Sequence, residues 1–555
     1  MTATHDLIRV ARDWITQDPD TETRAELEAV VADAEGGAPS AVADLHDRFD
    51  TRLEFGTAGL RGAIGAGSNR MNRVLVSQAA AGFAAWLLSR ESAPSVVIGY
   101  DGRTNSRVFA IDTAEIMAGA GVRAILLPRL LPTPVLAFAV RQLEASAGVM
   151  VTASHNPAAD NGYKVYVGGA DGGAQIVAPA DAEIAERIYA VAAGTLATDL
   201  PRSTDFETSG EEVVDDYVRL TAALAGAVPA PVSFVYTAMH GVGWHTARRV
   251  FVDAGFGEPV PVREQQEPDA AFPTVAFPNP EEHGALDLAM ATATTTGAEL
   301  IIANDPDADR LAVAIPAAGG WRRLSGNEVG SLLGWRAAER LAESGADGTL
   351  ACSLVSSPAL REIAREYRLD FAETLTGFKW ISRAGGLAFG YEEALGYLVD
   401  PDKVRDKDGI SAAVDFLTLV SELKSAGKTI DDRLLDFAEK FGAFASAQIS
   451  VRVTDLAEVP RIMTKLRNAP LRQIGSIRVD RVEDFSGGFG LFPASDILRF
   501  WTTDGARVIV RPSGTEPKVK VYIDSSSTEG TGAERQTAAQ AVVDELEAGI
   551  RAILA

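Results

Sequence analysis

One cysteine in 555 residues, Cys352, leaves no partner for an intrachain disulfide and excludes a cysteine-built metal cluster. Its flank, Thr349-Leu350-Ala351, has the composition of a strand, so a buried structural thiol is expected. No apolar run reaches membrane-spanning length. The N-terminus, Met1-Thr-Ala-Thr-His-Asp6, lacks the basic stretch and apolar run of a leader. A cytoplasmic protein with no membrane partner is the expectation. Positive charge is also scarce: 52 Lys and Arg stand against 76 Asp and Glu, a net charge of −24. That balance argues against nucleic acid and anionic membranes as partners. No Gly-x-Ser-x-Gly elbow surrounds the serine discussed below, so a hydrolase triad has no support.

The length exceeds what one core organises, and roughly three to five domains are expected. The first 50 residues read as polar helix. Strand-like runs then alternate with Ala-rich amphipathic stretches. Ser95–Tyr100 precedes a helix pattern through 118, and Ala124–Leu127 precedes another to about 145. The rhythm restarts at Val232–Tyr236, returns at Glu299–Ile302 and begins again near Gly348–Cys352. This βαβ pattern predicts mostly parallel, helix-covered sheets in three similar α/β domains. From about Phe441 the character changes. Ala447–Val453, Ser476–Asp480 and Arg507–Val510 are strand-like and 532–554 is helical, predicting a smaller C-terminal α+β domain. The expected boundaries are 1–215, 216–325, 326–440 and 441–555.

Three segments carry chemistry on their residue types alone. In Val149-Met-Val-Thr-Ala-Ser154-His155-Asn156-Pro157 an apolar run breaks at a turn and presents a serine beside a histidine. By residue type alone Ser154 could be a turn residue, a helix N-cap or a nucleophile, and a helix N-cap is the commonest role. In Asp305-Pro-Asp307-Ala-Asp309-Arg310, carboxylates at i, i+2 and i+4 face one way if the backbone is extended or looping. Three like charges together call for a cation. Hard oxygen ligands suit Mg²⁺ or Ca²⁺, and Arg310 and Pro316 stand where an EF-hand needs Gly and Glu, which leaves Mg²⁺ with a phosphoryl oxygen. In Arg511-Pro-Ser513-Gly514-Thr515, Gly514 frees backbone N–H groups, hydroxyls flank it, and Arg511 can grip a phosphate. His155 and Lys164 are candidates for proton transfer or for phosphate binding. In so acidic a chain a phosphorylated ligand needs a local basic pocket. Arg61, Lys164, Arg310, Lys379, Arg511 and Lys518 all lie in or beside these segments.

Together with Gly390-Tyr-Glu392-Glu393, these segments resemble, in order, the four signature loops of the α-D-phosphohexomutase superfamily. Gly56-Thr-Ala-Gly-Leu-Arg61, Tyr236-Thr-Ala-Met-His240, Phe277-Pro-Asn-Pro-Glu-Glu282, Thr376-Gly377-Phe-Lys379-Trp380 and Val404-Arg405-Asp-Lys407-Asp-Gly409 point to its long phosphoglucomutase/phosphomannomutase branch, which also resembles phosphopentomutase-type members. The resemblance implies four domains around a central cleft, each giving one loop. It implies a phosphorylated Ser154, with Mg²⁺ held by that phosphate and Asp305, Asp307 and Asp309, and a hexose 1,6-bisphosphate as intermediate and activator. Arg61, His155 and Lys164 would surround the transferring group. Arg310, Thr376, Gly377, Lys379, Glu392, Arg511, Ser513, Gly514 and Thr515 would bind substrate. The implied protein is a monomer or homodimer acting on sugar phosphates, hexoses with glucose preferred or alternatively pentoses. Many relatives carry Glu-Glu-Ser in the sugar loop; here it is Glu392-Glu393-Ala394. A metal-dependent phosphatase and a non-catalytic phosphosugar sensor are rival readings. The separate sugar and phosphate loops speak against the first, and the full set of nucleophile, metal ligands and cations against the second.

Overall fold

The computed structural model describes residues 2–452, 458–512 and 518–554. The chain forms two compact units, 1–324 with 396–418, and 325–395 with 419–555.

The first unit opens with helices Thr2–Gln17, Thr21–Glu35 and Pro39–Phe49, the polar helical segment expected from sequence. Ile8, Ala11, Trp14, Leu27, Val31 and Leu45 give them a shared core. A sheet follows in the order Leu60–Ala63, Asp160–Val167, Ala147–Val151, Ser95–Tyr100, Arg123–Leu126, Glu207–Thr208. Its core is dense: every residue of Ala147–Val151 is buried, and helix Arg73–Arg90, apolar around most of its circumference, buries Val76, Ala80, Phe83 and Leu87.

The expectation of a mostly parallel sheet holds at the centre, where Ser95–Tyr100 runs parallel to both Arg123–Leu126 and Ala147–Val151. It fails at one side. Asp160–Val167 is antiparallel to Ala147–Val151, and Leu60–Ala63 is antiparallel to Asp160–Val167. The reason is length: the 152–159 link falls short of the dozen or so residues a parallel crossover needs. That hairpin returns Lys164 opposite Met150 and sets Arg61 opposite Gly162.

A second sheet of the same unit has the order Gly320–Arg323, Ala312–Ala317, Leu300–Ala303, Phe234–Thr237, Val260–Pro261. Leu300–Ala303 and Phe234–Thr237 are parallel, so their C-terminal ends open on one side, where loops 304–311 and 238–242 leave them.

In the second unit Thr349–Ser353 lies parallel to Asp370–Thr374 and Leu387–Glu392. Helix Gly326–Ser344 starts on a reciprocal Ser325–Glu328 cap. An antiparallel sheet then runs Ala443–Arg452, Lys518–Ser527, Arg507–Pro512, Leu498–Thr502, Ile477–Asp484, Gln473–Ile474. Val543, Leu546 and Ile550 of helix Gly532–Leu554 close its core. This is the α+β C-terminal domain expected from sequence; its first strand begins at Ala443 rather than Ala447, and Val453 lies outside the described residues. Among the described residues no helix is long and apolar enough to cross a membrane.

Candidate active site

Ser154 sits at the tip of the hairpin that joins Ala147–Val151 to Asp160–Val167. Its backbone is left-handed, φ +52°, which costs an L-residue on the order of 1–3 kcal/mol. Neighbours hold it there. The Ser154 N–H donates to Thr152 Oγ1 at 2.9 Å. The buried Arg103 guanidinium donates to the carbonyls of Ser154 and Asn156, each at 2.6 Å, and to those of Pro157 and Asp160 at 2.8 and 3.1 Å. One planar fork thus sets the curvature of the whole loop. Asp101 accepts the Arg103 N–H and the Ser106 hydroxyl, fixing the fork in turn. The loop also requires glycine nearby: a Cβ on Gly59 would lie 1.8 Å from the Tyr163 carbonyl oxygen.

Ser154 is buried, and its hydroxyl donates to Asp305 Oδ2 at 2.9 Å, with His155 Nδ1 at 3.1 Å. Asp305, Asp307 and Asp309 are wholly buried. Their convergence is not the alternation of an extended segment. Ala308 has φ +55° and its N–H donates to the Asp305 carbonyl at 2.8 Å, so a tight turn aims the three carboxylates inward. One oxygen from each lies within 4.8 Å of the others.

The charge balance around the triad is specific. Lys164 Nζ reaches Asp307 Oδ2 at 2.7 Å and Asp309 Oδ2 at 3.1 Å, and Lys407 Nζ reaches Asp309 Oδ2 at 3.2 Å. Thr133 donates its hydroxyl to Asp307 Oδ2 at 2.7 Å and its N–H to the Asp307 carbonyl at 2.9 Å. Burial would raise the pKa of each carboxyl. In Asp305, repulsion from Asp307 and Asp309 adds to burial, and its pKa goes well up. In Asp307 burial is overcome by Lys164 with the Thr133 hydroxyl, and in Asp309 by Lys164, Lys407 and Arg310, and in both the pKa falls. Burial would lower the Lys164 pKa, but Asp307 and Asp309 outweigh it and hold the ammonium form. His155 is pushed well below its ordinary value by burial, with Arg310 and Arg61 adding to the effect. Two buried oxygens, Asp307 Oδ1 and Asp309 Oδ1, accept no hydrogen bond from the described residues. Clustered buried carboxylates with unmatched hard oxygens fit a divalent cation.

Arg61 donates to Asn156 Oδ1 at 3.2 Å, and Arg310 Nε lies 3.9 Å from Asp305 Oδ2 and Asp309 Oδ1. Ser154, His155, Lys164, Arg61, Arg310 and the aspartates are thus gathered in the first unit. Thr133, Arg103 and Lys407 belong with them and were not singled out from sequence. Lys407 lies in the Val404–Gly409 segment and Arg103 in Asp101-Gly-Arg103 at a strand end, a position that could have flagged it.

The second unit carries the remaining predicted residues. Glu392 ends strand Leu387–Glu392 and is half-buried. The carboxylate of Glu393 accepts from the Ser353 and Ser356 hydroxyls, each at 3.2 Å. Glu393 is pressed so close to helix Gly326–Ser344 that a Cβ on Gly326 would meet its carbonyl oxygen at 1.9 Å. Thr376 and Gly377 precede the short helix Phe378–Ile381, which carries the half-buried Lys379. Arg511 lies in strand Arg507–Pro512 with Nε donating to the Pro512 carbonyl at 3.2 Å. Ser513, Gly514 and Thr515 lie outside the described residues.

Comparison with known families matches four successive stretches of the chain between residues 52 and 541. Phosphoglucomutase/phosphomannomutase α/β/α domain I matches residues 52–194, domain II 215–319, domain III 325–441 and the C-terminal domain 449–541.

The chain belongs to the phosphoglucomutase/phosphomannomutase family.

It is accordingly a mutase, an isomerase of the α-D-phosphohexomutase superfamily, with three α/β domains and a distinct C-terminal one. A probable phosphomannomutase of Haemophilus influenzae is 56% identical over 87% of this chain and 98% of its own length. A phosphopentomutase of Homo sapiens is 34% identical over 94% and 92%, and a phosphoglucomutase of Staphylococcus epidermidis 35% identical over 87% and 92%. The crystal structure of a phosphoglucomutase/phosphomannomutase family protein from Burkholderia thailandensis superposes with a TM-score of 0.67 at 21% identity, covering 90% of this chain and 98% of that one, and shares the fold.

Proposed function

We propose that this mutase interconverts hexose 1-phosphate and hexose 6-phosphate through a phosphorylated Ser154 and a hexose 1,6-bisphosphate. The observation that carries the reading is Ser154 Oγ, 2.9 Å from Asp305 Oδ2, beside a triad with two buried oxygens that accept no hydrogen bond from the described residues. Phosphoserine 154 gives its phosphoryl group to the free hydroxyl of a bound hexose monophosphate, leaving a free serine and a bisphosphate. The bisphosphate reverses its orientation and returns the other phosphoryl group to Ser154, releasing the isomeric monophosphate. The serine regains its phosphate in each cycle, and water takes no part.

The residue roles belong to the same proposal. Asp305, Asp307 and Asp309, with the serine phosphate, would hold Mg²⁺, which when bound neutralises charge on the transferring group. Arg61 and Arg310 orient phosphoryl oxygens. His155 Nδ1, 3.1 Å from Oγ, is in reach of the proton that leaves or returns to the serine. The Lys164 ammonium, seated on Asp307 and Asp309, supplies positive charge where oxygens accumulate negative charge. Thr376, Gly377, Lys379 and Glu392 would read the sugar, and Arg511, Ser513, Gly514 and Thr515 would hold the phosphate that stays. The domains would then divide as phosphoserine, metal, sugar and phosphate domains at 1–215, 216–325, 326–440 and 441–555.

Ala394 offers no hydroxyl, so one means of separating the C2 epimers is missing and both glucose and mannose phosphates are expected to react. The 34% identity to a phosphopentomutase over nearly the whole chain supports pentose phosphates as a second reading. The test is kcat/KM for glucose 1-phosphate, mannose 1-phosphate and ribose 1-phosphate on one preparation, with the matching bisphosphate supplied and inorganic phosphate followed. Glucose should lead, mannose follow and ribose trail, with no phosphate released. Ribose in the lead would overturn the hexose assignment, and steady phosphate release the mutase mechanism.

A further inference from the structure

Within the first unit, a groove of ≈ 600 Å³ is lined by Arg129, Trp244, His245, Arg248, Arg249 and Gln266. We propose that this groove binds a small molecule bearing a linear di- or triphosphate, at a place distinct from the candidate active site but structurally joined to it.

In a chain of net charge −24, three guanidiniums and an imidazole around one groove gather an unusual number of phosphate-matching donors in one place. They come from two elements. Helix Gly243–Asp253 supplies Trp244, His245, Arg248 and Arg249, two pairs spaced four apart and therefore on neighbouring faces, while Arg129 comes from the loop after strand Arg123–Leu126. Each of these basic side chains has an acidic neighbour: Arg129 with Glu211 at 3.0 Å, Arg249 with Asp215 at 2.6 Å, His245 with Glu267 at 3.0 Å, and Arg248 with Glu258. The basic side chains of these pairs are 35–56% exposed. Ion pairs so open to water contribute little, and their carboxylates can turn to solvent when a stronger anion arrives. A phosphate chain is such an anion, because its oxygens match several planar forks at once. One phosphate group would leave part of this donor set unused, whereas a linear chain of two or three spans it. The volume falls in the range of small-molecule clefts.

Both walls of the groove end on the aspartate loop. Four residues beyond Arg129, Thr133 donates its N–H and its hydroxyl to Asp307. Just before Trp244, the Val242 N–H donates to the Pro306 carbonyl at 2.8 Å. A ligand that draws Arg129 toward helix Gly243–Asp253 therefore tightens two segments hydrogen-bonded to the turn that carries the triad.

Titration calorimetry on the full chain tests this, using inorganic pyrophosphate, ADP and orthophosphate as probes with hexose 6-phosphate saturating and Mg²⁺ in excess. Pyrophosphate and ADP should bind at one site that survives filling by sugar phosphate, with orthophosphate much weaker. Equal affinity for the first two assigns recognition to the phosphate chain, and tighter ADP binding adds the indole of Trp244. The Arg248→Ala/Arg249→Ala double variant should bind about a hundredfold more weakly, and Arg129→Ala, on the other element, about tenfold. Mutase activity without pyrophosphate should stay as in the wild type. Bound pyrophosphate should slow amide exchange at Thr133 and Val242. No binding by the wild type at millimolar probe, binding that hexose 6-phosphate abolishes, or affinity unchanged in both variants would overturn the proposal and leave four surface ion pairs.

Discussion

Two acidic loops, one in each compact unit, are built on different principles. Both follow a strand of a parallel pair, Leu300–Ala303 for the aspartate loop and Leu387–Glu392 for the glutamate loop. In the first, Asp305, Asp307 and Asp309 are wholly buried, and Asp307 and Asp309 are met by the ammonium groups of Lys164 and Lys407. In the second, Glu393 is only partly buried and is held by the neutral hydroxyls of Ser353 and Ser356. A low-dielectric cluster of opposite charges is a rigid arrangement, since each displaced group leaves a buried charge unmatched. Hydroxyl donors fix a carboxylate at smaller cost and leave it open to a second partner. The contrast follows the proposed division of labour. Phosphoryl transfer needs charge already in place, whereas reading a sugar needs groups that exchange water for hydroxyls.

Breaking the rigid side should have the largest effect. Asp307→Asn keeps the shape of the side chain but removes one charge, and kcat should fall by about 10²–10³-fold with a higher divalent-ion requirement, measured by metal titration of initial rates. A rate within twofold of wild type would erase the distinction between the loops. A middle-sized effect is expected at Arg103, which acts only through the loop it clamps. Arg103→Lys keeps the charge and loses the fork across four carbonyls, so kcat should drop by about 10–10²-fold with the metal requirement little changed. The smallest change is expected on the neutral side. Ser356→Ala removes one hydroxyl from Glu393 and should lower stability by about 1 kcal/mol in denaturant unfolding, raising KM while kcat stays near wild type.

Much of this was legible in the sequence, because the motifs are local. Residues 149–157 and 305–310 each lie in one strand-to-loop junction, and there side-chain type and spacing largely determine what can be presented. The strand–helix rhythm likewise gave the α/β class, with Ser95–Tyr100 found where it was read and Leu300–Ala303 one residue later. What escaped is long-range. Thr133 and Lys407 reach the aspartates from 174 and 98 positions away; no local pattern distinguishes Thr133 from other threonines, and the segment that holds Lys407 does not say which group the lysine meets. The turn at Ala308 was hidden for another reason. Alanine rarely adopts φ +55°, so its type argues for a helix or strand, and only the surrounding bonds impose the turn. The antiparallel side of the first sheet was missed because its cue was the shortness of a loop rather than the composition of a strand.

The central claim is that Ser154 carries the phosphoryl group. Its most direct test is the intact mass of the enzyme before and after incubation with hexose 1,6-bisphosphate and Mg²⁺, with tandem mass mapping of the modified peptide, for wild type and Ser154→Ala. The account predicts one phosphate on wild type, located on Ser154. It predicts none on the variant, which folds and still binds sugar phosphate but loses nearly all turnover. A phosphate mapped to another residue, or wild-type turnover by Ser154→Ala, would contradict it.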